Sequence, residues 1–348
     1  MICPNCRNSL LAKQRGGRKC SICKHRFAFD PKTNPLRLHD LRMRDLIGTL
    51  GGKGREGQPP LAYTVDQLRY AASRKILAKR TSSGSGIGCA IAALVVGGGF
   101  VTVAVANGGG SMAALAAVPV VILLVGVLVR ARLGWFPGHP VSRPRFARML
   151  TSWQQVYGEP PRGLLPDLPA QVVVPAAVPR AVLFCPDGPT VRFLEAAGVA
   201  QRHPVVLVPL PTALPRAAAE GLPVLVLHDA GVAGCVWVPR LRAALAGAAV
   251  LDIGLRPRVA TRGGPALRLR PAQPELEELR VAVGRGLVDL DDAEFAWLAE
   301  GNVLPLAAVL PSRLVRAVER AVHRAVDRPD PDQVRARALG FLSGPEAA

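Results

Sequence analysis

Residues 222–235 read LPVLVLHDAGVAGC, an apolar run that stops at His228-Asp229 and breaks into a turn of small residues. A short unbroken run of Val and Leu between turn signals has the pattern of a strand buried on both faces. Strands of that kind belong to parallel sheets covered by helices. The flanking sequence repeats the pattern: apolar runs at 181–185, 205–210 and 250–253 alternate with helical stretches at 189–197, 212–221 and 231–246. That alternation argues an α/β core over residues 180–256 with a mainly parallel sheet. Helices are expected beyond it at 274–285, 291–300 and 311–327. The last puts Leu314, Val318, Val322 and Val326 on one face and Arg313, Arg316, Arg320 and Arg324 off it. Residues 257–348 thus read as a helical C-terminal extension.

Open parallel sheets bind ligands beyond the carboxyl ends of their strands. Two acidic side chains are delivered there, Asp187 in FCPDG and Asp229 in LHDAG. Together with AVLFCPD, the phrase LHDAGVAGC resembles the Toprim fold of topoisomerases and primases, closest to the topoisomerase VI A subunit type. The resemblance spans about residues 180–256. It implies a Mg²⁺ site for phosphodiester chemistry, built from a Glu after the first strand and a DxD pair after a later one. Here Asp229 matches the first Asp, Gly231 stands in place of the second, and only Asp187 is acidic near the Glu position. Mg²⁺ demands octahedral oxygen ligands, so the resemblance implies a degenerate domain in which Asp187 and Asp229 are the remaining catalytic candidates. A plainer reading makes Asp229 the cap of a helix starting near Gly231. His228, Cys185 and Cys235 raise a thiol or second metal site, against which stands the habit of buried cysteines to act as small hydrophobes.

At the amino end, Cys3-Pro-Asn-Cys6 and Cys20-Ser-Ile-Cys23 form CxxC-x13-CxxC. Two-residue spacing turns both thiolates of a knuckle toward one ion, and four thiolates close a tetrahedral structural Zn²⁺ site. Residues 1–30, with Phe27 and Phe29, resemble a zinc ribbon, a scaffold of nucleic-acid and protein binding. His25 is a weaker candidate ligand, since four cysteines already complete the shell.

The chain has 348 residues, room for two or three domains, and a formal net charge of +19. Residues 1–80 hold 18 Lys/Arg against 5 Asp/Glu, residues 81–129 hold none, and the half from 171 onward is nearly neutral. Within the uncharged stretch, 86–106 is long enough to span a bilayer core of ~30 Å as a helix, and 112–129 sits at the lower limit. Arg74, Lys75, Lys79 and Arg80 precede the first segment, and Arg130, Arg132, Arg143, Arg145 and Arg148 follow the second. By the positive-inside rule both termini face the cytoplasm of an integral protein of the plasma or inner membrane. The alternative, a helical hairpin buried in a large domain, lacks neighbouring segments apolar enough to enclose it.

Between these landmarks, residues 31–85 read as a basic helical linker region with a capping box at Thr64-Val-Asp-Gln67. Residues 130–179 hold a basic juxtamembrane helix at 143–157, then a Pro-rich linker. That helix suits either the anionic inner leaflet or the adjacent domain. The expected fold class is a multidomain membrane protein: a small zinc ribbon, a two-helix transmembrane hairpin at 86–129, and a C-terminal α/β domain. The expected function is a membrane-anchored, cytoplasm-facing binding or scaffold protein, in contact with the lipid bilayer and anionic inner-leaflet lipids. Its ribbon and non-catalytic α/β domain are expected to hold a protein partner or a nucleotide-like ligand. Two alternatives are a Mg²⁺-dependent enzyme acting on phosphodiesters, and a tethered nucleic-acid binder using Arg256, Arg258, Arg262, Arg268 and Arg270. Against the last, basic charge beside a membrane already has a use in topology, and aromatics that would stack bases are 5% of residues.

Overall fold

Four short strands of Val and Leu, β1 (Ala181–Phe184), β2 (Val205–Val208), β3 (Val224–Val226) and β4 (Val250–Asp252), pair in parallel in the order β2-β1-β3-β4. The computed structural model describes residues 1–52, 60–82, 138–218, 221–245, 247–261, 266–269 and 273–326. Every residue of β1, β2 and β3 is buried, because helices cover both faces of the sheet. On one face Leu183, Leu207 and Leu225 pack with Val191 and Leu194 of the helix Gly188–Ala196, and with Leu314, Val318 and Val322 of the helix Pro311–Val326. On the other, Phe184, Val206, Val226 and Val250 pack with Leu214, Val238 and Leu241. Side chains alternate between faces along each strand, which is why adjacent residues enter different cores.

The chain runs from β1 leftward to β2, crosses back over β1 to β3, and continues rightward to β4. Connections therefore reverse direction between β1 and β3. This is the switch point at which open α/β sheets leave a crevice at their carboxyl edge. The Pro-rich linker does more than connect. Val173 exchanges backbone hydrogen bonds with Leu207 at 3.0 and 2.9 Å, covering the open edge of β2 against unwanted pairing.

The amino-terminal half has its own core. Helices α1 (Asp40–Leu50), α2 (Val65–Ser82) and α3 (Arg143–Tyr157) bury Leu36, Leu38, Met43, Leu68, Phe146 and Trp153 together with Phe29 from the end of the ribbon. The capping box at the start of α2 forms: Thr64 N–H donates to Gln67 Oε1 at 2.9 Å and Gln67 N–H to Thr64 Oγ1 at 3.2 Å. The apolar face of α3, a candidate for the inner leaflet, is turned onto protein, and Trp153 stacks on Phe29 with ring centroids 5.9 Å apart.

The membrane fold class and the membrane location expected from the sequence are corrected. Among the described residues no helix is long and apolar enough to cross a membrane. The longest, α2 with 18 residues, has in its sequence Asp66, Arg69, Arg74, Lys75, Lys79 and Arg80, and charges at this density are incompatible with a hydrocarbon core. The segments 86–106 and 112–129 lie outside the described residues. What the structure describes is an α/β domain with a four-stranded parallel sheet, joined to a helical module that carries the cysteines.

Candidate metal centre and sheet-edge site

The two CxxC segments fold into matching knuckles. In the first, Cys3 N–H donates to Asn8 O at 2.9 Å and Arg7 N–H to Cys3 O at 3.2 Å. In the second, Cys20 N–H donates to His25 O at 2.9 Å and Lys24 N–H to Cys20 O at 3.0 Å. Arg7 and Lys24, each following the second cysteine, adopt left-handed φ of 62° and 60°. This tight return aims both sulfurs of a knuckle the same way. Cys3 Sγ lies 3.7 Å from Cys23 Sγ, and Cys6 Sγ lies 3.8 Å from Cys20 Sγ. All four sulfurs fall within 4.8 Å of one another.

A tetrahedron with Zn–S bonds of about 2.3 Å has S···S edges of about 3.8 Å, close to the two short edges here, so the four cysteines are compatible with a zinc site. Burial pushes the Cys3 thiol up to about 11, while the backbone N–H of His25 beside Cys23 pulls that thiol down to about 6. An amide aimed at a sulfur favours the thiolate that a metal requires. His25 stands edge-on to Phe27, 6.1 Å between centroids, outside the sulfur cluster. Among the described residues this quartet alone brings three or more potential ligands together.

The carboxyl edge of the sheet is organised differently. Asp187 leaves β1 and caps the helix Gly188–Ala196, accepting from Thr190 N at 3.1 Å and from the Thr190 hydroxyl. Asp229 leaves β3 on the other side of the switch point. It does not cap the helix Val232–Cys235, whose first position is held by Gly231 without a side-chain bond. Its Oδ1 instead accepts the N–H of Leu306 at 2.6 Å, 77 residues further along the chain. Leu306 opens a short 3-10 turn, Leu306–Ala308, and is itself buried against the sheet. Asp229 therefore caps a helical turn, but a distant one.

This segment lies across the carboxyl edge of the sheet beside Asp229. Ala230 and Leu304 exchange backbone hydrogen bonds at 3.0 and 2.9 Å, and a methyl group on Gly231 would sit 3.2 Å from Val303. Tyr70 and Leu77 of α2 pack against Ala230 and Leu304 from outside. Burial raises the Asp187 carboxyl and pushes Asp229 up to about 6, the charge of Asp187 contributing to the latter. Both carboxylates accept main-chain amides, and among the described residues they do not converge with a third potential metal ligand.

His228, between them in sequence, is buried and spans two acceptors. Its Nδ1 lies 2.8 Å from the Asp229 carbonyl and its Nε2 3.1 Å from Asp252 Oδ1 at the end of β4. A carbonyl can only accept, so Nδ1 carries a proton, and a second proton on Nε2 completes an ion pair with Asp252. Burial alone would lower the imidazole, but Asp252 more than offsets it and holds His228 above its ordinary value. Burial likewise works against the Asp252 carboxylate, and the His228 hydrogen bond and charge reverse this and keep it below its usual range. The ring is clasped by two glycines. A methyl on Gly254 would meet it at 2.4 Å, and one on Gly234 would meet Asp229 O at 2.1 Å.

The two cysteines beside these residues are buried and held as thiols. Cys185 Sγ donates only to Asp187 O at 3.7 Å, and burial raises both the Cys185 and Cys235 thiols, the latter to about 12. They are small buried hydrophobes. Sequence reasoning missed Asp252 as the partner of His228. The signal was present, because VLDIG places an Asp at the end of an apolar run just as LHDAG does. No protein-family model matches the chain, and no curated protein matches it.

Proposed function

We propose that this chain is a zinc-stabilised binding or scaffold protein, with a structural Zn²⁺ in the ribbon and a Toprim-like α/β domain that performs no catalysis. The observation that carries the reading is the bond from Leu306 N–H to Asp229 Oδ1. A catalytic Mg²⁺ would need that oxygen, a second carboxylate aimed at the same point, and open room for water and a phosphodiester. Here the oxygen is held by an amide, Asp187 is turned to cap its own helix, and the segment 302–308, with α2 packed on it, lies across that edge. A domain closed in this way offers its outer surfaces to partners.

Thermal melts of the full chain with and without millimolar Mg²⁺ test this. The expected result is an unchanged midpoint in wild type. A midpoint raised by Mg²⁺, with the rise lost in both Asp187→Asn and Asp229→Asn, would overturn the non-catalytic reading and favour the phosphodiester enzyme.

A further inference from the structure

At the opposite end of the sheet, the short helix Val199–Arg202 and the long helix Pro311–Val326 flank an open groove lined by Arg202, His203, Arg316, Glu319, Arg320 and His323. Arg202 and His203 lie just before β2 begins, at the amino ends of the strands, away from Asp187 and Asp229. Positions 316, 319, 320 and 323 follow the i, i+3, i+4, i+7 spacing that lines one face of a helix. The apolar positions of the same helix, Leu314, Val318 and Val322, are buried in the core and hold that face outward.

The charges in the groove are unevenly matched. Arg202 places Nε and Nη2 3.0 and 2.7 Å from Glu319 Oε1 and gives Nη1 to Ala197 O at 2.7 Å, so the one acidic group is neutralised by the opposite wall. Arg316 and Arg320 are exposed. Each uses only Nε, donating to the carbonyl four residues earlier at 3.2 Å, and neither has an acidic partner among the described residues. His203 and His323 meet edge to face between the walls, 5.6 Å between centroids. Two guanidinium forks one helical turn apart offer more donors than the two oxygens of a carboxylate can use. The three terminal oxygens of a phosphate can accept them all.

We infer that this groove is a binding site for a phosphate group, with Arg316 and Arg320 as its principal contacts and Arg202 holding Glu319 out of the way.

Calorimetric titration of the full-length, zinc-loaded protein with inorganic phosphate, pyrophosphate and acetate at fixed ionic strength tests the site. Pyrophosphate and phosphate should bind saturably, and Arg316→Gln with Arg320→Gln should weaken both about tenfold or more, since charge-assisted hydrogen bonds are lost. Gln suits a helix, and among the described residues both arginines hydrogen-bond only within their own helix, so the thermal midpoint of the double variant should match wild type. No saturable binding, binding unchanged by the double substitution, or equal competition by acetate would each overturn the site. A single-stranded oligonucleotide without terminal phosphate separates the sources. Binding through the same arginines would place the phosphate on a nucleic-acid backbone, and its failure beside pyrophosphate binding would place it on a small molecule.

Discussion

Asp229 shows what a single residue's neighbours decide. Its carboxyl is pushed to about 6 from an ordinary 3.8 by burial, with the nearby Asp187 charge adding to the shift, while the Leu306 amide and His228 work the other way. The folded protein keeps a proton there that the unfolded chain releases. Stability is therefore greatest on this account below the unfolded value and falls as pH rises through the folded one, between about 4 and 6. In Asp229→Asn the amide oxygen can still accept from Leu306 and nothing titrates. Denaturant midpoints measured across that window should fall in wild type and run flatter in the variant, once the common background is subtracted. Equal slopes would show that Asp229 titrates normally and is not enclosed as the geometry requires.

Among the elements, α3 carries the most consequence. Asp40, wholly buried at the start of α1, accepts from Ala28 N at 2.9 Å, from Phe29 N at 2.8 Å and from the Tyr157 hydroxyl at the end of α3. One carboxylate thus ties Ala28 and Phe29, which follow the cysteine cluster, to two helices. Tyr157 is held well above its ordinary range by burial first and by Asp40 second. Removing the acceptor strands three donors at once, and each unsatisfied buried donor costs about 1–3 kcal/mol. Asp40→Ala is expected to lower stability by several kcal/mol. Trp153→Ala, which empties the ring stacked on Phe29, should cost about 3–5 kcal/mol. Chemical denaturation would show both, and a loss below about 1 kcal/mol in both variants would mean α3 is not docked on the ribbon.

For the whole molecule, the ribbon and the sheet are linked in series. The cysteine cluster has a core of little beyond Leu10 and Phe27, so a bound Zn²⁺ would supply most of its folding energy, binding being worth about 10–16 kcal/mol in comparable peptides. Its end is held by Asp40 and Phe29, the helical module leans through α2 on residues 304–308, and those residues cover the carboxyl edge of the sheet. Withdrawing zinc with a strong chelator, or Cys20→Ser, should abolish a one-to-one zinc content measured by native mass spectrometry. Hydrogen exchange should then rise through residues 1–50 and α3, while β1, β2 and β3 stay protected by their two covered faces. Unchanged exchange in α3 would break the proposed link between the ribbon and that helix.

Local chemistry determined what could be read from the sequence at short range. The paired CxxC segments predict a four-sulfur cluster, because two-residue spacing by itself turns both sulfurs of a knuckle one way. The unbroken apolar runs predict buried strands, since only a doubly covered sheet needs apolar side chains on both faces. The Thr64–Gln67 capping box is likewise a matter of three residues. Length and apolarity also predicted two membrane spans at 86–106 and 112–129; those segments lie outside the described residues, and among the described residues no helix is long and apolar enough to cross a bilayer. What only the tertiary structure decided involves groups far apart in the chain. Asp229 turns to Leu306, His228 to Asp252, Tyr157 to Asp40 and Arg202 to Glu319. A carboxylate at a strand end looks the same in sequence whether it faces a metal or a neighbour's amide. Which of the two it meets depends on the segment the fold lays across it, and no local periodicity records that.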